Sequence, residues 1–377
     1  MIKQEWTVAL RVVHLLGGLY AVNPPQEDEV HLSASSPPDY DNILCSFTIP
    51  AYDQLFFSLH SLGLKPLGTM FVSDKRQQEG IYPPTERHYY CSSRHQGPWV
   101  VWDAMQTWGQ IARHSAEGDA NIPLMDLARR ISFELYACSA KWFELSHAYG
   151  DVLNGQVRIK ELHAGQRFET MNSLSVYLAI HSLLSEISSL RDYLAEFAAQ
   201  HLLTDDLPGN PYTKMSKLIN ALKKRPDITH PVARTIRDIT SESGGWLSIL
   251  SAYRDLVIHH APAGMTQGWN FMVQKEFEIR GGFKLPYIET YLPSDPIAVK
   301  KERSRGTSMR TLAEWNRAFS DASAAGGPDA LIYLHDAVGK LALLSLGMAL
   351  HSPVKPGPTE VDAEARRLTV MRIYPGA

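Results

Sequence analysis

The segment Met171–Leu203 carries the strongest constraint on what this chain can fold into. Leu174, Leu178, Leu183, Ile187, Leu190, Leu194 and Phe197 recur at threes, fours and fives. That spacing puts one apolar stripe along a long helix, and the stripe must be buried against other elements. The same period recurs downstream. Leu124–Leu153 is predicted as a helix, Tyr212–Lys224 as a short basic helix, and Pro231–Ile258 as helical with a break at Gly244-Gly245. Ser308–Ala322 and Pro328–His351 complete the set, the last with Leu331, Leu334, Val338, Leu341, Leu344 and Met348 on one stripe. Pro208-Gly209-Asn210-Pro211 is a strong break between the second and third of these helices.

Two stretches change period. Gly155–Leu162 reads as a strand or hairpin arm. Trp269–Leu292 reads as a β-hairpin inserted between helices, with Phe271, Val273, Phe277 and Ile279 before Gly281-Gly282 and Phe283, Leu285, Tyr287 and Ile288 after it. The first part of the chain is mixed. Asn42–Pro50 and Leu67–Ser73 read as strands and Ala51–Leu62 as a short helix. Gln77–Gly97 is polar and rich in turn residues, and Trp99, Trp102 and Trp108 sit near a helical stretch. The expected division is an α+β amino-terminal region over 1–123, a helical domain over 124–351 with the hairpin at about 269–292, and a tail over 352–377.

Composition narrows the class. Of the residues, 44% are apolar and 20% charged, which is the balance of a globular chain. A net charge of −3 gives no general attraction to nucleic acid, so any such site needs a local basic patch. Cys45, Cys91 and Cys138 lie far apart, forming neither a disulfide framework nor a zinc pattern, and fit a reducing cytoplasm. The apolar run Val8–Val22 contains Arg11 and His14, and Leu341–Leu350 is too short to span, so neither a signal peptide nor a membrane span is expected. There is no phosphate-binding glycine loop, no Gly-x-Ser-x-Gly and no His-Glu-x-x-His, so neither a cofactor nor a metal is expected.

Chemistry is concentrated in Tyr253-Arg254-Asp255-Leu256-Val257-Ile258-His259-His260. Arginine and histidine at this spacing also occur as Arg158/His163 and Arg225/His230. Pro226 disfavours helical geometry at Arg225, and Arg158 lies in the expected strand. Arg254 alone lies inside a helical pattern, with Trp246, Leu250, Tyr253 and Val257 on one stripe and Pro262 and Gly264 beyond its end. Asp255, four residues before His259, is expected to meet it on one face, and an imidazole suits acid–base work near neutral pH. On a regular α-helix Arg254 and His259 stand about 140° apart, so one helix does not close both on one phosphate.

This arginine–polar–x3–histidine pattern resembles the active site of the HEPN superfamily, whose best-known members are metal-independent ribonucleases. The resemblance extends over Leu124–His351, with Met171–Leu203 and Pro231–Ala261 as the two long central helices. It implies a mainly α, HEPN-like helical bundle and an RNA substrate, with Arg254, Asp255 and His259 as catalytic residues and His260 as a possible further partner. The substrate's 2′-hydroxyl would attack the adjacent phosphorus, histidine would move the proton, and arginine would hold the charge on the phosphate oxygens. It also implies a homodimer, which would bring two motif helices to one cleft, and an antitoxin or other regulatory protein as partner. Asparagine is commonest in the family where Asp255 stands. A tyrosine found in some members two places past the histidine is Ala261 here. Lys300, Lys301, Arg303, Arg305 and Arg310 form one basic cluster and Lys214, Lys217, Lys223, Lys224 and Arg225 another, either suited to an RNA backbone or to a solvated face. Arg191 and Asp192, on the other long helix, read as a solvated face. The competing reading of Arg254, Asp255 and His259 is a structural ion-pair network, and that of His260 an ordinary surface or core histidine.

Overall fold

A computed structural model describes residues 10–24, 27–35, 42–51, 54–72, 87–90, 100–117, 120–159, 163–207, 209, 212–241, 244–260, 272–304, 314 and 327–356. Within these, the side chains of 71, 72, 87–90, 260 and 302–304 lie outside the description. In chain order the elements are β1 (Leu10–His14), β2 (Tyr20–Asn23), β3 (Glu29–Ser33), β4 (Ile43–Thr48), α1 (Leu55–Ser61), β5 (Gly68–Val72), β6 (Arg87–Tyr90), α2 (Val100–Ser115) and α3 (Ile122–Ile159). They continue as β7 (Arg167–Phe168), α4 (Ser173–Phe197), α5 (Met215–Lys224), α6 (Pro231–Ile239), α7 (Trp246–Asp255), β8 (Met272–Glu278), β9 (Lys284–Thr290), α8 (Pro296–Ser304) and α9 (Ala330–Ala349). The chain is mainly α, with two small antiparallel sheets.

The helices follow the expected periods, with three corrections. Pro231–Ala261, expected as a long central helix, is two short helices, α6 and α7, the second running on into a π-turn. Residues 155–159 continue α3, a 38-residue helix, instead of starting a strand. Burial at helical spacing accounts for this, because Val152, Leu153 and Gln156 are buried on the helical face that Tyr149 begins. On α4, Leu174 and Leu178 are 56% and 60% exposed, while Val176, Tyr177, Ile180, Leu183 and Leu184 are buried. The stripe therefore lies a few residues round the helix at its start from where the leucines suggest. The expected helix over Ser308–Ala322 lies outside the described residues, except for residue 314.

The amino-terminal strands form a six-stranded sheet in the order β4-β3-β2-β1-β5-β6. Every pair is antiparallel, with Val12 opposite both Val22 and Met70. The link from β4 to β5 passes three strands and contains α1. Strands β4 and β5 match expectation; β1 to β3 have no counterpart in the sequence reading. Arg11 and His14 disguise β1, yet both are buried because each finds a partner. Arg11 donates to Asn23 Oδ1 at 3.0 and 2.6 Å, and His14 Nδ1 meets Ser146 Oγ on α3 at 2.8 Å. Buried polar groups are tolerated when so paired.

Sheet and helices share one core, continuous across residues 123–124. Trp108 of α2 stands edge-on to Phe197 of α4 at 4.7 Å. Gly150 lets α3 approach β2 closely, since a Cβ there would overlap the Tyr20 hydroxyl. The expected hairpin forms from β8 and β9, with Val273 opposite Glu289 and Phe277 opposite Leu285. β7 pairs on its outer side, Phe168 opposite Met272. Asp329 then ties hairpin, α3 and α9 together. Its carboxylate accepts from the Tyr149 hydroxyl at 2.9 Å, from the Thr290 N–H at 2.9 Å, and as cap of α9 from the Ile332 N–H at 3.2 Å. At 20 residues α9 is long and apolar enough to cross a membrane, so the shorter run read from the sequence understates it. It packs as a core helix, with Leu331, Leu334, Val338 and Leu341 buried in the common core.

Candidate active site

The helix carrying the motif does not stay α. After Asp255 the backbone widens into a π-turn over Leu256–His260. A π-turn bonds residue i to i+5, so it brings residues five apart closer round the helix than the roughly 140° of an α-helix. One helix thus brings the two side chains into contact, which regular α-helical geometry does not predict. Arg254 Nη1 donates to His259 Nε2 at 2.8 Å. In that contact the histidine nitrogen is an acceptor, so the ring carries its proton on Nδ1. Leu256 and Val257 are buried and anchor the turn, whereas His259 is exposed.

Asp255 does not turn to His259 as expected. Arg254 Nη1 reaches its Oδ1 at 3.1 Å, and Lys300 Nζ reaches its Oδ2 at 2.8 Å. Burial works against this carboxylate, but the hydrogen bonds from Lys300 and Arg254 outweigh it and hold it below the usual aspartate range. Lys300 arrives from α8, whose start is capped by Asp295 Oδ1 accepting from the Ile297 and Ala298 N–H groups at 3.0 and 2.9 Å. The buried Tyr253 hydroxyl fixes the approach to α8 by donating to the Pro293 carbonyl at 2.6 Å.

The second long helix supplies the group misread as a solvated face. The Arg191 side chain is only 13% exposed. Its Nη1 donates to Ser251 Oγ on α7 at 2.7 Å, and Ser251 in turn donates to the Leu247 carbonyl at 2.7 Å. Asp192 accepts the Met215 N–H at 2.9 Å, which brings the start of α5, and with it the segment carrying Lys214, to the same region. Burial pulls the Arg191 guanidinium below its ordinary range; the charge of Asp192 opposes this and that of Arg254 adds to it. The sequence hint was present: an arginine four and seven residues from the apolar Ile187 and Leu184 sits at the edge of the buried stripe.

Of the other expected site residues, Lys301 is exposed on α8. His260 closes the π-turn, and its side chain, that of Arg303, and all of Arg305 and Arg310 lie outside the described residues. Two surface cavities, of about 220 and 620 Å³, lie elsewhere, the first lined by Leu222, Pro226 and Ile236 and the second by Met105, Gly109 and Phe133. In the motif His259 is exposed, and Arg254, Asp255 and Lys300 are half-buried beside it. The site presents an arginine and a lysine on one carboxylate and an imidazole on the arginine, a set suited to holding a phosphate and moving a proton. Among the described residues the one group with metal-ligating spacing is Glu27, Glu29 and His31, at the far end of the chain from the motif.

No protein-family model, curated protein or solved structure matches the chain.

Proposed function

We propose that the chain is a metal-independent endoribonuclease of HEPN type, a toxin or defence effector that cuts RNA by attack of the substrate's own 2′-hydroxyl. The observation that carries this reading is the 2.8 Å contact between Arg254 Nη1 and the exposed His259 at its Nε2. When the phosphate draws the Arg254 guanidinium off Nε2, the freed lone pair takes the 2′-hydroxyl proton, and the 5′ oxygen leaves with a proton from solvent. The Arg254 guanidinium and the Lys300 ammonium then face the charge growing on the phosphate oxygens, and electrostatic stabilisation of that kind is the largest single contribution in such reactions. Lys301, beside Lys300 and exposed, extends the cationic surface along the backbone path. The reading takes RNA as substrate, a second copy of the chain as partner, an antitoxin or other regulatory protein as its control, and the cytoplasm as its place of action.

A second reading has a specific observation in its favour. Asp255 accepts from both Arg254 and Lys300, as a structural ion-pair network would, and the chain would then be a non-catalytic HEPN-like module that binds RNA or protein, or a helical dimerisation scaffold. Incubation of cellular RNA with the full chain in EDTA separates the two. The ribonuclease reading expects fragments with 2′,3′-cyclic phosphate ends, lost in both Arg254→Ala and His259→Ala. Intact RNA, or cleavage indifferent to both changes, leaves the binding module or scaffold.

A further inference from the structure

Two guanidinium groups, Arg191 of α4 and Arg254 of α7, stand at the motif with unused donors. Arg191 Nη1 is held by Ser251 at 2.7 Å and its Nη2 leans on Ser188 Oγ at 3.4 Å and Asp192 Oδ1 at 3.5 Å, but its buried Nε has no hydrogen-bond partner among the described residues. The Nε of Arg254 is likewise buried and without a partner there. A buried donor left unpaired costs on the order of 1–3 kcal/mol, more when charged, so two together mark a place where an acceptor belongs. The charges agree. Among the described residues Arg191, Arg254 and Lys300 bring three cations to the cluster, against the two carboxylates of Asp192 and Asp255. Burial and the neighbouring Arg254 both disfavour charge on Arg191, and an incoming anion relieves both.

We infer that Arg191 is a second phosphate-binding residue of this site, closing with Arg254 on a single phosphate group. Serine hydroxyls at 188 and 251 fix its plane, as a fork that grips a phosphate requires. The helix that supplies Arg191 thereby becomes part of the site and is more than a support for the motif helix. The ligand chemistry is a phosphate oxyanion, and the source is a phosphodiester of RNA. The inference rests on the ribonuclease reading for that source alone.

The test uses the full chain and two probes, inorganic phosphate and a 2′-deoxy oligonucleotide that cannot undergo 2′-hydroxyl attack. Binding is followed by calorimetry for wild type, Arg191→Lys, Arg191→Gln and the surface control Lys141→Gln, with RNA cleavage measured in parallel. The expected result is oligonucleotide affinity reduced about tenfold or more in Arg191→Gln, to a lesser degree in Arg191→Lys, and not at all in the control. Phosphate binding follows the same order, and oligonucleotide binding tighter than phosphate identifies the backbone as the source. Should Arg191→Gln fail to fold, the folded Arg191→Lys protein decides, with a loss of about threefold or more expected from removal of the fork. Wild type that binds neither probe, or folded Arg191 variants that bind both like wild type, overturn the inference. RNA cleavage together with such unchanged binding sinks the inference alone, whereas Arg191-dependent binding without cleavage sinks the ribonuclease reading alone.

Discussion

The guanidinium of Arg254 reaches the imidazole of His259 at 2.8 Å because the helix that carries both widens between them. That relationship removes the geometric need for two copies to unite the pair, and the proposed homodimer then rests on the proposed HEPN likeness alone. On the proposed mechanism, His259→Ala and Arg254→Ala each lower cleavage by about 10²–10⁴-fold, the range for loss of a positioned proton-transfer or charge-stabilising group. Single-turnover rates on a defined oligoribonucleotide measure this. Losses below about tenfold in both would remove the pair from the chemistry.

Asp255→Asn is expected to keep cleavage. Asparagine retains an oxygen for Arg254 and is the commoner HEPN residue at this place. The cost should appear in the fold instead, because Lys300 loses its charged partner at 2.8 Å. Both side chains are more than a third exposed, so solvent screening limits that loss to at most about 1 kcal/mol. Paired urea titrations and cleavage rates give the two quantities, and an inactive, fully stable variant would contradict the assignment.

Asp329 is the fixed point of the carboxyl-terminal half, and burial raises its carboxyl to about 6. An acid with a raised folded value holds its proton in the native state while the unfolded chain releases it. Stability is therefore greatest below the unfolded value near 4 and falls as pH rises through about 6. Asp329→Ala removes the acceptor of Tyr149, Thr290 and Ile332 and is expected to cost about 3 kcal/mol near pH 7. Between pH 4 and 6 its denaturation midpoint should depend on pH differently from wild type. Identical slopes in that range would show that Asp329 does not titrate there.

His230 caps α6 by accepting the Val232 N–H on Nδ1 at 3.2 Å, with the His351 ring 5.3 Å away. Burial first, and then the charge of His351, lower its tendency to protonate. A base with a depressed folded value stabilises fully above its unfolded value of about 6.5, and that contribution is lost as pH falls through it. Protonation also destroys the cap. His230→Asn keeps a capping oxygen without the titration. Its melting temperature should fall less than that of wild type between pH 7 and 5, and equal declines would count against the cap as the sensitive element.

Gly150 lies where α3 touches Tyr20, so Gly150→Ala is expected to destabilise by about 1–3 kcal/mol, although alanine is the better helix former. Tyr20→Leu combined with Gly150→Ala should recover part of the loss, because the clash falls on the Tyr20 hydroxyl and the ring atoms beside it. Additive effects in the double variant would contradict that contact.

The sequence by itself determined the mainly α character, the long helices, the hairpin at 272–290 and the Arg254–His259 spacing. All of these follow from the period of apolar residues or from separation along one element, and both are local properties of the chain. Only the tertiary structure decided the rest. The π-turn leaves no mark in the apolar period, since Val257 is buried in either helical form. Arg191 and Ser251 are 60 residues apart, and Asp255 and Lys300 are 45 apart. β1 was hidden because Arg11 and His14 read as polar until Asn23 and Ser146, the latter 132 residues beyond His14, are placed beside them. Whether a polar side chain is buried depends on a partner that folding brings to it, and one element's sequence does not contain that partner.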